Sequence, residues 1–261
     1  MLFTKMQGLG NDYLYHFGEV ENVEELSIRL SERHFGIGSD GIILILHSEK
    51  ADFMMRIFNA DGSEAKMCGN GIRCVGKFVY DNGYTDKTEL VIDTLSGLRY
   101  LYMTVKDGKV SEVTVNMGKG EVSEKKTINT SFGEVSLTPV SVGNPHAVII
   151  TDDAENAPLD TLGREIEQHE EFPGGVNVEF LQIKSRTEVR MRVWERGSGI
   201  TMACGTGACA SVSAAVNAGL CDKNTDISVV LDGGVLKIKI LDDGIVYMTG
   251  PAEKICDCEV E

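Results

Sequence analysis

The sequence predicts an α+β fold built as two pseudo-symmetric domains, each a mixed or antiparallel sheet around a central helix, with the active site in the cleft between them. Three observations carry this. Alternating apolar and polar runs outnumber helical ones. A sixteen-residue segment occurs twice. Each copy is followed at once by a helical pattern. The copies are RIFNADGSEAKMCGNG at 56–71 and RVWERGSGITMACGTG at 192–207, aligned without a gap and ending in Cys-Gly-x-Gly. Further landmarks recur in the same order: Gly10-Asn11 with Gly143-Asn144, the helical stretch around Leu26 with that around Leu162, and Phe35-Gly36 with the run from Phe172 to Gly175.

Within each unit the elements follow from local chemistry. Alternation predicts strands at 54–58, 98–105 and 110–115 in the first unit, and at 188–194 and 235–241 in the second. The first post-motif helix is expected over 71–81, with Ile72, Val75 and Val79 on one stripe and a stop at Asn82-Gly83. The second is expected over 207–218, ending at Gly219. Its small side chains, GACASVSAAVNAG, let neighbouring backbone approach closely, so it reads as a central, buried helix.

Composition narrows the function. The 261 residues are 42% hydrophobic and 25% charged, which suits a globular chain of one large or two smaller domains. The net charge of −15 argues against a nucleic-acid surface, which needs clustered Lys and Arg, but leaves room for a locally positive pocket. No apolar run is long enough for a membrane span, and MLFTKMQGLGNDY lacks an apolar core of signal-peptide length, so a cytosolic protein is expected. Seven cysteines, none in C-x-x-C spacing, read as reduced thiols, with neither a disulfide framework nor a metal site. Phosphate-cradling glycine motifs are missing, so a nucleotide cofactor has no visible cradle.

Cys68 and Cys204 each precede a helix start, where unpaired N–H groups and the helix dipole favour negative charge. A cysteine placed there can have its pKa lowered and hold a usable thiolate. The N–H groups of Gly69-Asn70 and Gly205-Thr206 can grip a substrate carboxylate. Two thiols on either side of one α-carbon suit removal of its proton on one face and return on the other, which inverts the centre. Taken singly, a cysteine beside glycine is more often a small packing residue; the matched pair favours chemistry. Cys74 and Cys209 read as packing residues and Cys221, Cys256 and Cys258 as bland. His146, in an unusual Gly-Asn-Pro-His turn, reads as polar support for the site.

Several segments together resemble the diaminopimelate epimerase family: GLGNDY at 8–13, RHFGIGSDG at 33–41, FNADGSEAKMCGNGIRC at 58–74, VGNPHAV at 142–148, VNVEF at 176–180 and ERGSGITMACGTGACA at 195–210. The resemblance implies cofactor-independent interconversion of LL- and meso-diaminopimelate, on the route to lysine and peptidoglycan. It implies Cys68 and Cys204 as paired acid and base, with His146 and Glu195 assisting. Asn11, Asn59, Gly69, Asn70, Asn144, Asn177, Glu195, Arg196, Gly205 and Thr206 would line the substrate pocket. The implied domains are 1–117, joined by the returning segment 251–261, and 118–250; the resemblance also allows a homodimer. Two positions depart from the family pattern: Gly41 stands where certain members have a glutamine, and Cys256 where certain members have a dimer-forming aromatic.

Rival readings remain open at this point. A racemase of another amino acid, such as histidine or proline, would use the same scaffold. An amino-acid-binding module would hold the carboxylate and leave the α-carbon untouched. A cysteine hydrolase needs one thiolate beside a histidine, which the repeat speaks against. Arg196 bears on the choice, because it can make a two-pronged contact to the second carboxylate of diaminopimelate. A monocarboxylic substrate is expected to leave this arginine buried and unmatched.

Overall fold

The computed structural model describes residues 1–260 of the chain. It divides into two compact units, Met1–Val115 with the segment from Thr249 onward, and Asn116–Met248. The elements in chain order are β1 (Leu2–Gly8), β2 (Asn11–Phe17), α1 (Val23–Ser31), β3 (Gly41–Leu46), β4 (Phe53–Asn59), β5 (Glu64–Ala65), α2 (Gly69–Asp81), β6 (Glu89–Thr94), β7 (Gly97–Lys106) and β8 (Lys109–Lys119). They continue with β9 (Glu121–Val122), β10 (Lys126–Thr130), β11 (Gly133–Ser141), β12 (Pro145–Ile150), a π-helical turn Leu159–Gly163 running into the short α3 (Arg164–Glu167), β13 (Asn177–Ser185) and β14 (Glu188–Glu195). The chain ends with β15 (Gly199–Ile200), α4 (Gly205–Asn217), β16 (Ile227–Leu231), β17 (Gly234–Ile240), β18 (Ile245–Gly250) and β19 (Glu253–Glu259). Each strand expected from alternation is present: β4, β7, β8 and β14 run one to five residues longer in all, and β17 keeps the expected length shifted one residue towards the N-terminus.

Strand pairing repeats from unit to unit. In the first, β1 and β2 are antiparallel, β2 and β3 parallel, β3 and β4 antiparallel, β4 and β6 parallel, and β6 and β7 antiparallel. In the second, β11 and β12 are antiparallel, β12 and β13 parallel, β13 and β14 antiparallel, β14 and β16 parallel, and β16 and β17 antiparallel. The terminal strand β19 adds to the first unit's sheet by pairing with β1.

Helices cover both faces of the central strands, which explains why β3, GIILIL, is almost continuously apolar. Ile42 and Leu44 join Phe3, Leu14, Val23, Leu30 and Phe58 in a core on the α1 side. By alternation Ile43 and Ile45 point the other way, towards α2, whose Ile72, Val75 and Val79 are fully buried. In the second unit Val178 and Phe180 of β13 pack with Ile149, Leu159, Leu162 and Ile166, and α4 lies on the opposite face. Ten of the thirteen residues of α4 are buried, as a small-residue central helix requires.

Both central helices begin two residues earlier than their periodicity suggests, at Gly69 and Gly205. Glycine near the start weakens the sequence signal, yet here it is required. A Cβ on Gly71 would lie 2.7 Å from Ile43 Cδ1, so the first turn of α2 presses directly on β3. Gly41 has φ +151° and a Cβ there would lie 2.0 Å from the backbone oxygen of Phe58, so no side chain can stand there. Gly41→Ala is therefore expected to destabilise the protein by at least about 1–3 kcal/mol, measured as a lower urea midpoint, because the strand backbone itself must move.

Candidate active site

The chain carries two half-sites of the same design, one in each unit. Cys68 caps α2 with extended backbone, and its Sγ accepts the N–H of Gly71 at 3.3 Å. Cys204 caps α4 in the same way, accepting the N–H of Gly207 at 3.3 Å. Sulfur thus fills the place usually taken by a serine or aspartate oxygen at a helix N-cap. The sequence-level placement of both cysteines just before helix starts holds.

In the first unit Cys68 is half-buried, and its thiol donates to Asn11 Oδ1 at 3.3 Å. The Asn11 amide is turned by Asp40, whose Oδ2 accepts from Asn11 Nδ2 at 2.7 Å. An ionised carboxylate can only accept, so this contact leaves Oδ1 facing the sulfur. Burial raises the Asp40 pKa, and the neighbouring Asp12 adds to that rise, against hydrogen bonds from Asp12 N–H and Asn11 that lower it. Asn59, at the end of β4, donates to Ser63 Oγ at 3.1 Å. Gly69 and Asn70 are buried in the first turn of α2, where Asn70 Oδ1 and the Gly69 carbonyl both accept from the fully buried Arg73.

The second unit surrounds its thiol with more charge. Cys204 Sγ is 3.6 Å from Thr206 Oγ1, and Asn144 Nδ2 donates to that hydroxyl oxygen at 3.3 Å. His146 Nε2 lies 3.1 Å from Asn144 Oδ1, and its Nδ1 lies 2.6 Å from Glu179 Oε1. Glu195, at the end of β14, accepts from the hydroxyl of Thr201. Asn177 bridges backbones, accepting from Arg196 N–H at 2.9 Å and donating to the Pro145 carbonyl at 3.1 Å. Gly205 is buried and Thr206 half-buried at the helix start.

Two expectations are corrected. The pKa of Cys204 is pushed well above the ordinary thiol value of 9.0, not lowered. Burial is the largest cause, followed by the carboxylates of Glu195 and Glu179, and together they outweigh the bonds from Thr206 and Gly207 N–H. Arg196, expected to be buried, is exposed in the turn after β14, where its guanidinium donates to the Gly174 carbonyl at 3.1 Å. No burial penalty then attends an unmatched Arg196.

Asp40 and Glu179 were not singled out from sequence, although both lie within conspicuous segments, GSDG and VNVEF. Glu179 interrupts an apolar strand with a carboxyl group that is fully buried, and that interruption was the available signal. Among the described residues no group of three or more His, Cys, Asp or Glu could hold a metal, and no helix is long and apolar enough to cross a membrane.

The diaminopimelate epimerase family model matches residues 3–122 and 138–255. The chain belongs to the diaminopimelate epimerase family. The diaminopimelate epimerase of Bacillus subtilis (strain 168) is 50% identical over 274 residues, covering 98% of this chain and 96% of that protein. That of Methanococcus maripaludis (strain C5) is 48% identical, with both chains covered completely. Among solved structures, a phenazine biosynthesis protein of the PhzF family from Bacillus anthracis superposes with a TM-score of 0.77 at 16% identity, covering 100% of this chain and 99% of that one. A probable proline racemase from Agrobacterium radiobacter K84 does so at 0.75 and 19%, covering 100% and 92%. At such identities these two show a shared fold, the α+β architecture of two pseudo-symmetric domains that the sequence predicts.

Glu195 offers a test of the electrostatics of this family member. Desolvation raises its pKa above 4.5, against hydrogen bonds from Thr201 and Cys204 that lower it. A carboxyl group with a raised native pKa adds stability that is complete below its unfolded pKa and is lost as pH rises through the native value. Glu195→Gln keeps an acceptor for Thr201 and removes the charge. The variant is expected to be more stable than the parent at pH 8, with the difference shrinking to nothing as pH falls below 4.5. Urea titrations of both proteins across that range check the sign.

Proposed function

We propose that this protein interconverts LL- and meso-diaminopimelate without a cofactor, Cys68 and Cys204 serving as paired acid and base. The observation that carries this is the duplicated cap: two cysteines, each at a helix start, each with sulfur bonded to the N–H three residues on. A single catalytic thiol would not need the second copy. The reading requires the two sulfurs to address opposite faces of one α-carbon. One thiolate takes the α-proton and becomes a thiol; the other thiol gives its proton to the opposite face and becomes a thiolate. Charge building on the substrate carboxylate is stabilised by N–H groups of Gly69-Asn70 and Gly205-Thr206, already oriented by their helices.

Both sulfurs are set up as thiols before substrate arrives. Asp40 turns the Asn11 carbonyl oxygen towards Cys68, and burial among carboxylates keeps the proton on Cys204. In this reading the α-ammonium of the substrate brings the positive charge that favours one thiolate, whose proton passes to water as the substrate binds. Glu195 and His146 assist beside Cys204, and Asn59, Asn144 and Asn177 contribute polar lining. Arg196, exposed in its turn, would exchange the Gly174 carbonyl for the distal carboxylate. Membership of a family at about half identity supports the substrate, and a cytosolic location belongs to the same proposal.

The deciding experiment is incubation in D₂O with LL-diaminopimelate beside a panel of L-amino acids, following α-proton loss by NMR. Loss from diaminopimelate is expected to be far faster than from histidine or proline. Cys68→Ala and Cys204→Ala are each expected to abolish inversion with the fold retained by circular dichroism; full activity in either removes the two-base scheme. Arg196→Lys should lower kcat/KM for diaminopimelate tenfold or more, the loss of a charged hydrogen bond of about 1.5–3 kcal/mol. Indifference to that change would place the distal carboxylate elsewhere.

A further inference from the structure

The two half-sites share a backbone design and differ in what lies beneath the helix start. Under α2 stands Ile43, the residue a Cβ on Gly71 would strike at 2.7 Å. Under α4, at the matching place, stands Glu179: a Cβ on Gly207 would lie 2.7 Å from its Oε1. An aliphatic side chain therefore suffices to pack such a helix against its strand. A carboxyl group in the same place is costly, since its side chain is fully buried and its Oε2 has no hydrogen-bond partner among the described residues. Packing does not account for it.

Its contacts do. From Glu179 a continuous path runs to the sulfur: Oε1 to His146 Nδ1 at 2.6 Å, His146 Nε2 to Asn144 Oδ1 at 3.1 Å, Asn144 Nδ2 to Thr206 Oγ1 at 3.3 Å, and Thr206 Oγ1 to Cys204 Sγ at 3.6 Å. The direction of each link is set by its neighbour. Asn144 gives its N–H to Thr206, so its carbonyl oxygen faces His146 and must accept from Nε2–H. Thr206, already accepting from Asn144, has its own O–H available for the sulfur. The Glu179 carboxylate accepts at Nδ1 and holds the ring so that Nε2 faces Asn144. If the Asn144 amide turns over, Thr206 gives its O–H to Asn144 and the sulfur loses that donor.

We propose that Glu179 is a positioning residue which, acting through His146, sets the direction of this hydrogen-bond path so that it ends in a donor to Cys204 Sγ. The role rests on the proposed use of Cys204 as acid and base. The path belongs to Cys204 alone, since residue 43 offers no counterpart to Glu179. The titratable groups around Cys204 are Glu195 from β14, Glu179 from β13 and His146 from β12.

Two roles for Glu179 predict opposite signs. As a bare negative charge near the sulfur, its removal would favour the thiolate. As the anchor of the path, its removal frees the His146 ring, lets the donors reverse and disfavours the thiolate. The experiment is iodoacetamide alkylation of the full chain across pH, with Cys204 and Cys68 quantified separately by peptide mass spectrometry, so that Cys68 is the internal reference. In Glu179→Gln, Cys204 alkylation below its midpoint is expected to slow about three- to tenfold, a tenfold change being one unit of pKa, with Cys68 unchanged. In a Thr206→Val background, where the path is already cut, the further change at Glu179 should have no such slowing effect. Faster or unaltered alkylation of Cys204 overturns the proposal, as does an equal change at both thiols. If Glu179→Gln does not fold, Thr206→Val by itself carries the test: Cys204 must slow and Cys68 must not. Alkylation does not depend on the substrate, so failure to exchange the diaminopimelate α-proton would count against the proposed function and leave this result standing.

Discussion

The structure depends on a helix that starts at a sulfur atom. An N-cap ordinarily uses a small oxygen-bearing side chain, which bonds the N–H two or three residues on and relieves one of four unpaired donors. Cysteine does this less well, because sulfur is larger and a weaker acceptor. Here the first turn is made of glycine and small polar residues, GNG after Cys68 and GTG after Cys204. That composition is poor for helix formation, and tertiary packing supplies what propensity does not. The first turns are pressed against β3 and β13 so closely that Gly71 and Gly207 have no room for a methyl group. The consequence is a helix start with accessible N–H groups and a thiol beside them, held by burial of the remaining turns.

Duplication gives two such starts, and divergence has made them chemically unequal. Asn11 and Asn144 occupy corresponding turns, yet one is directed by a half-buried aspartate on the chain segment before β3 and the other by a buried histidine–glutamate pair. On the proposed function, one thiol must hold a proton and the other release one in each turnover. Identical surroundings would leave both sulfurs with the same affinity for the proton. Unequal ones let each thiol's affinity be set separately, at the cost of placing charged groups inside the second unit.

Much of the fold was legible because the pattern that builds it is local. The two Cys-Gly-x-Gly segments, the alternating strands and the small-residue helix can all be read in windows of under twenty residues. The helix starts were misplaced by two residues for a physical reason: Gly-Asn-Gly and Gly-Thr-Gly carry loop propensities, and the contacts overriding them come from strands elsewhere in the chain. The Cys204 environment was misread for a related reason. The helix dipole is a local property and was weighed correctly as such, but Glu179 and Glu195 reach the thiol from β13 and β14, and no local window contains all three. Arg196 was expected to be buried because a binding role was assigned to it; its position in a turn flanked by Gly197 and Gly199 argues for exposure on sequence grounds alone.

Exposure of Arg196 changes what it can contribute to specificity. A buried guanidinium discriminates by the penalty of being left unmatched, which punishes every substrate lacking the distal carboxylate. An exposed one rejects nothing, since water and the Gly174 carbonyl satisfy it in the absence of a ligand. Its contribution is then purely attractive, gained as the guanidinium leaves Gly174 and pairs with a carboxylate. On the proposed function, selectivity against smaller amino acids therefore comes from binding energy those substrates fail to gain. A substrate without the distal carboxylate would still be turned over slowly wherever its α-carboxylate reaches the helix starts, because nothing at Arg196 opposes it.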